Sequence, residues 1–176
     1  DDLNNQYERV HNWAYPEPRE YIFRFLEELC RNYDIDGIEL DFMRRDSYFD
    51  LSETSLQQRR EIMTDFITRV RKMLDQTGPL NKRRWLSVRI PNQLATLGDL
   101  GIDLAEFENA GVDIFNMANT YYTEQQTDID QARAILDEAK IYSEVTFTIG
   151  YVPVGPDVRH LPYSGLCQRR TTPEMF

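Results

Sequence analysis

Apolar positions along the chain alternate between two periods. Tyr21, Ile22, Phe25, Leu26, Leu29, Cys30 and Tyr33 follow one another at steps of three and four. This predicts an amphipathic helix over Arg19–Tyr33, with Pro16 and Pro18 suited to its approach. Cys30 on that face is expected to be a buried core thiol. Asp36–Phe42 then switches to a period of two, a strand with Ile38, Leu40 and Phe42 on one side. After a polar loop comes a long helix carrying Ile62, Phe66, Val70, Met73 and Leu74, stopped by Gly78 and Pro79.

The cycle repeats. Trp85–Ile90 reads as a strand ending at Pro91. Asp103 and Glu106 have capping-box spacing for a short helix that Gly111 closes. Val112–Ala118 is a third strand. Asp128 with Gln131 opens a helix whose apolar positions are Ile129, Ala132, Ile135, Leu136 and Ala139, and Ile141–Ile149 is a fourth strand. Thr172, Pro173 and Glu174 announce one more helix.

Strands alternating with helices through short returns predict an α/β fold of parallel strands joined by right-handed crossovers. The later strands begin about 27 to 30 residues apart, the spacing of βα units. A doubly wound nucleotide-binding sheet should carry a glycine-rich first turn. None of the strand-to-helix turns has one, so a (β/α)8 barrel is favoured.

Strand parity then sorts the polar residues. In a barrel one side of each strand packs beneath helices, and the other faces the interior. With Ile38, Leu40 and Phe42 against the helices, Gly37, Glu39 and Asp41 point inward. Leu86, Val88 and Ile90 leave Ser87 and Arg89 inside, and Phe115 and Met117 leave Asn116 inside. Ile141, Val145, Phe147 and Ile149 leave Tyr142, Glu144, Thr146 and Thr148 inside. Branched apolar side chains usually fill that space. Here it is predicted to hold Glu39, Asp41, Arg89, Asn116 and Glu144.

Burying such groups is costly unless they are paired, and function is the usual reason for tolerating them. One explanation is a closed ion-pair network, with Arg89 neutralising Glu39 or Asp41. Another is carboxylate chemistry, and the two are compatible because an arginine can hold a catalytic carboxylate ionised. Cleavage of a glycosidic bond needs two carboxyl groups across a small gap, one to protonate the leaving oxygen and one to attack or activate water. Glu39 and Asp41 have α-carbons roughly 6.6 Å apart on one strand face. They therefore need a partner from across the sheet, and Glu144 is the candidate. Arg44 in the loop after the first strand, Asn119 and Tyr121 after the third, and Tyr151 after the fourth are candidate substrate-binding residues. Aromatic rings there would suit sugar faces, and arginine would suit hydroxyls or acidic groups. Ordinary loop packing is the alternative for these aromatics, and Met43 is expected to be a packing residue.

Composition narrows the partners. A formal net charge of −10 opposes binding to phosphate backbones, so nucleic acid is not expected. No apolar run approaches the roughly 20 residues of a transmembrane helix. Cys30 and Cys167 make neither a disulfide framework nor a zinc site. With His11 and His160 the only histidines, no histidine-built metal centre is expected, and no cofactor is called for.

The run Tyr33-Asp-Ile-Asp-Gly-Ile-Glu-Leu-Asp-Phe-Met-Arg44, preceded by Pro16-Glu-Pro-Arg-Glu20 leading into a helix, resembles the bacterial glycosyl-hydrolase-like TIM-barrel family. Arg169–Phe176 is similar to the start of that group's penultimate helix. The resemblance implies that Asp36–Phe42 is barrel strand four and that strands five to seven follow. It further implies a glycoside hydrolase acting on a poly- or oligosaccharide, and it is compatible with a secreted or periplasmic location. In the large clan of retaining barrel glycosidases the acid/base lies after strand four and a Glu nucleophile on strand seven. Asp41 (or Glu39) and Glu144 fall on those strands. The clan's Asn-Glu pair is absent from the strand-four site, and Met43 stands where a chitinase-like pattern has Glu. α-Glucosidase-like barrels have a nucleophilic Asp at the position matching Asp41. A non-catalytic carbohydrate-binding barrel is the rival reading.

A complete barrel of this kind takes about 250 residues. The 176 residues therefore read as one incomplete barrel domain, about strands four to seven, with a strand remnant expected before Trp13. Open sheet edges would leave such a piece poorly stable and inactive alone.

Overall fold

The computed structural model describes residues 11–43, 48–79, 82–118 and 127–144. Four strands form one parallel sheet: β1 (Gly37–Asp41), β2 (Trp85–Pro91), β3 (Ile114–Ala118) and β4 (Lys140–Ser143). They lie side by side in chain order, so the order does not reverse within the sheet. Helices α1 (Pro16–Asn32), α2 (Leu56–Thr77), α3 (Leu94–Leu97), α4 (Leu104–Asn109) and α5 (Ile129–Ile135) connect or flank them. The expected α/β class of parallel strands and intervening helices is what the chain adopts.

Helix ends here have identifiable partners, some near in sequence and some far. The α1 helix starts three residues earlier than the periodicity suggested, and Pro16 and Pro18 lie inside its first turn. First-turn amides have no intrahelical acceptor, so proline loses nothing there and its fixed φ already suits the helix. At the other end Arg84, itself buried, donates from Nη1 to the Cys30 carbonyl at 2.8 Å and from Nη2 to the Tyr33 carbonyl at 3.2 Å. A cation at the carbonyl end of a helix is favourable. For α2, Ser55 and Gln58 make a full capping box, which the sequence reading passed over. The α4 box is half made: Asp103 accepts from the Glu106 amide at 3.1 Å.

The α5 helix stops at Ile135, short of the Ala139 that its apolar spacing implied. The Glu108 carboxylate explains the early end by accepting the amides of Asp137, Glu138 and Ala139 at 3.0, 2.8 and 2.7 Å. Leu136 and Ala139 are still buried, but from the turn rather than the helix. Asp128 caps no α5 amide; its Oδ2 accepts from Leu94 at 3.2 Å.

One apolar cluster joins the sheet to its helices. Leu40, Leu86, Val88, Ile90, Phe115 and Met117 supply the sheet side, and Met63, Phe66, Ile67, Val70 and Leu74 of α2 lie against them. Cys30, Phe107 and Ala132 bring in α1, α4 and α5. Truncating a ring as buried as Phe66, Phe107 or Phe115 to Ala costs about 3–5 kcal/mol. Several expected core positions do not belong to this cluster. Tyr21, Phe25 and Tyr33 of α1 and Ile129 and Ile135 of α5 are exposed, Tyr21 by 78%. The face of α1 that packs is rotated toward Ile22, Phe23, Leu26 and Cys30. Trp13 is buried edge-on against Phe42, Tyr48 and Phe66. Tyr48 and Phe49, from the loop after β1, therefore pack inward instead of facing a ligand.

The short helical stretch after β2 was not anticipated. It ends in a 3-10 turn, Gly98–Leu100, that closes on Gly101 with φ of +72°. A Cβ at Gly101 would sit 2.5 Å from the Arg59 carbonyl oxygen, whereas Gly98 has ordinary right-handed helical dihedrals and meets only the flexible Leu56 side chain. Replacing Gly101 with Ala is expected to cost about 1–3 kcal/mol, because both the left-handed φ and the clash oppose it. Gly98→Ala should be neutral or stabilise by up to about 1 kcal/mol. Urea midpoints of the two variants against the parent check the contrast.

Candidate functional site

The strands alternate as parity requires. Leu40, Val88, Ile90, Phe115 and Met117 face the helices, and the intervening residues occupy the opposite face. Register sets these in rows. Glu39, Ser87, Ile114 and Lys140 share one row; Asp41, Arg89, Asn116 and Tyr142 share the next, toward the C-terminal ends of the strands. Glu144 follows β4, and its amide continues the ladder by donating to the Met117 carbonyl at 2.9 Å. It therefore emerges on the same face as Tyr142, one step above the second row.

Arg89 is the hub. Its Nε and Nη2 grip Glu144 Oε1 and Oε2 at 2.5 and 2.8 Å, a bidentate pairing across the intervening strand. Its Nη1 donates to both oxygens of Asp41 at 3.0 and 3.1 Å. The Asn116 amide, on the strand between, donates to Glu144 Oε1 at 3.3 Å. The Met43 amide donates to Asp41 Oδ1 at 2.9 Å. Two carboxylates, one from β1 and one from the residue after β4, thus flank the guanidinium that β2 supplies, and β3 between them adds a neutral donor. The nearest oxygens of Asp41 and Glu144 lie at most about 8 Å apart, the reach of a guanidinium plus two hydrogen bonds.

Of the expected site residues, Asp41, Glu144, Arg89 and Asn116 are brought together. Glu39 is not. It lies one row down and accepts from Ser87 Oγ at 2.7 Å, so Arg89 neutralises Asp41 and Glu144 rather than Glu39. Arg44, Asn119, Tyr121 and Tyr151 lie outside the described residues, as do Thr146 and Thr148. Met43 is buried, as a packing residue should be. Among the described residues no group of three or more His, Cys, Asp or Glu is arranged to hold a metal ion. No described helix is long and apolar enough to cross a membrane.

The cluster is not sealed. The side chain of Asp41 is 49% exposed, that of Glu144 31% and that of Arg89 21%. Solvent reaches all three, so the ion pairs are screened and add on the order of 1 kcal/mol to stability. Electrostatics still set the protonation of Glu144. The Arg89 hydrogen bonds hold its carboxyl below the ordinary Glu range, against burial and the neighbouring Asp41 charge, with Asn116 assisting. The Arg89 guanidinium is correspondingly pushed further up, chiefly by Glu144.

Two groups missed by the sequence reading position this row from outside. Glu108 grips the turn that leads into β4 and so sets where Glu144 begins. Burial raises its pKa, but the three amides and Arg133 more than offset that and leave it lowered. Asp113 accepts from the Leu86 amide at 2.9 Å and from Arg83 and Arg71 at 2.7 and 3.3 Å, which ties β2 to the start of β3. Neither carries a local signal, because their partners lie 27 to 42 residues away in sequence.

Because Glu144 is depressed in the folded state, its pairing stabilises fully above the ordinary Glu value of 4.5 and is lost as pH falls through the lower folded value. Carboxyl NMR should place the Glu144 midpoint below 4.5 in the parent. In Arg89→Met it should rise above 4.5, since burial and Asp41 then outweigh the remaining Asn116 hydrogen bond. An unmoved midpoint would contradict the hub geometry. No protein-family model and no curated protein matches the chain, so the reading of this site rests on its own residues.

Proposed function

We propose that the sheet is part of a (β/α)8 barrel, about strands four to seven, and that Asp41 and Glu144 act as the paired carboxylates of a glycoside hydrolase. The observation that carries the reading is the meeting of these two acids, one on the first described strand and one just past the last, at one guanidinium on the face away from the described helices. Sequential strand order and the placement near the C-terminal strand ends are what a barrel active site requires. The Asp36–Phe42 motif's resemblance to glycosyl-hydrolase-like barrels supports the same assignment.

An upper bound of about 8 Å leaves room for the retaining spacing of about 5–5.5 Å and for the shorter part of the inverting range of about 6.5–9.5 Å. Glu144, held low by Arg89 and Asn116, suits the anionic role of nucleophile or base. Asp41 is closer to solvent, is tied to Arg89 through one nitrogen and to the Met43 amide, and takes the other carboxylate role in this reading. Arg89 orients both acids and keeps their mutual repulsion in check. Glu39 is assigned a supporting place in the row beneath.

One observation favours a second reading. Arg89 is already engaged by two carboxylates, as in a non-catalytic carbohydrate-binding face held together by ion pairs. The two readings part on neutralisation of the acids. In the protein expressed from its complete reading frame, Asp41→Asn and Glu144→Gln are each expected to lower kcat on a glycan substrate by about 10²–10⁴-fold. Glu39→Gln should cost less than about tenfold. Full turnover by both Asp41→Asn and Glu144→Gln, or glycan binding with no turnover in the parent, would overturn the hydrolase.

A further inference from the structure

On the helix-facing side of the sheet, Ile90 and Met117 stand level and are fully buried. Ser143 is level with Met117 and continues that row, a hydroxyl where the pattern asks for an apolar side chain. Its Oγ lies 2.9 Å from Oγ1 of Thr127, the residue two before α5. Thr127 is itself anchored. The next residue, Asp128, donates its amide to the Asn92 carbonyl at 3.1 Å and accepts the Leu94 amide on Oδ2 at 3.2 Å. Asn92, buried just past β2, donates to the Ala118 carbonyl at 3.1 Å. The hydroxyl pair therefore ties the end of β4 to the ends of β2 and β3.

Glu144 is the first residue past β4, where a strand is most prone to fray. Arg89 grips its carboxylate on one face, and Thr127 fastens the residue before it on the other. Resting on the hydrolase reading, we infer that Thr127 and Ser143 are positioning residues, whose paired hydroxyls fix the end of β4 so that Glu144 meets Arg89 and Asp41 in the geometry that paired-carboxylate chemistry needs. Ser143 points away from the charged cluster, so it acts through the backbone that joins it to Glu144. The leverage is large. Misplacing a reacting group by about 1 Å costs on the order of a hundredfold in rate. A single hydrogen bond between half-exposed hydroxyls adds little to global stability, about 1 kcal/mol, so its main effect is local.

The test uses the protein from its complete reading frame. It follows the Glu144 carboxyl by NMR titration, and turnover by product release from cello-, xylo- and mannohexaose. Among the described residues, Arg89 and Asp41 are the ionisable groups that face Glu144, with neutral Asn116 between strands, and all three stay unaltered. Ser143→Ala and Thr127→Val should each raise the Glu144 midpoint toward 4.5, because a looser strand end weakens the Arg89 grip. Each should lower kcat about tenfold and leave KM within about twofold. Thr127→Ser keeps the hydroxyl and should hold the parent values. The double variant should do no more than either single one, since the two side chains share one bond. A merely structural serine predicts no shift, as alanine suits the apolar row. A Glu144 midpoint unmoved in both Ser143→Ala and Thr127→Val therefore overturns the positioning role. Equal shifts in Thr127→Ser and Thr127→Val, or additive shifts in the double variant, overturn it too. Raised midpoints in a parent without turnover support the positioning and remove the hydrolase. Unchanged kcat in both hydroxyl variants, with turnover lost in Glu144→Gln, overturns the positioning and leaves the hydrolase standing.

Discussion

A strand in a parallel sheet presents alternate side chains to two faces, and here the described helices pack against one of them. Every apolar residue spent on that face commits its neighbour to the other. Leu40 therefore places Asp41, Val88 and Ile90 place Arg89, and Phe115 and Met117 place Asn116. The core and the charged row are two readings of one period. A slip of one residue in any strand would exchange them, driving a carboxylate among Phe66 and Phe107 and exposing a leucine. The apolar cluster thus enforces the register on which the geometry of Asp41, Arg89 and Glu144 depends. The ion pairs themselves are too exposed to hold the sheet together.

That dependence explains which features were legible in the chain. The period of two in Asp36–Phe42 and Trp85–Ile90 survives any environment in which one face is buried, so four parallel strands and the membership of the polar row could be read directly. Asn116 and Glu144 followed from the same parity. The direction of Arg89 could not. Parity put it near Glu39 and Asp41 alike, and only the strand register, which sets it level with Asp41, carries it to that residue and over β3 to Glu144. Helix faces were harder still, because a stripe of Tyr21, Phe25 and Tyr33 is periodic whether or not anything covers it.

Helix ends divided the same way. Gly78, and Ser55 with Gln58, act within a few residues and leave a local trace. The early end of α5 leaves none, since its cause is a carboxylate on α4. Arg84 is comparable. It reads as an ordinary charge before a strand, yet it is buried and its two terminal nitrogens donate to carbonyls at the close of α1. Long-range polar contacts of this kind have no period, and their partners are chosen by the fold after the apolar pattern has assembled it.

The grip of Glu108 on three successive amides has a consequence for how this chain can vary. The side chain sits on α4, outside the charged row, yet it governs the phase at which β4 leaves the turn. Drift at position 108 would be transmitted along the backbone to Glu144 without any change in the residues around it. The tolerance of the charged row to substitution is therefore narrower than its own neighbourhood suggests, and an anchor on the helix layer shares in setting its accuracy.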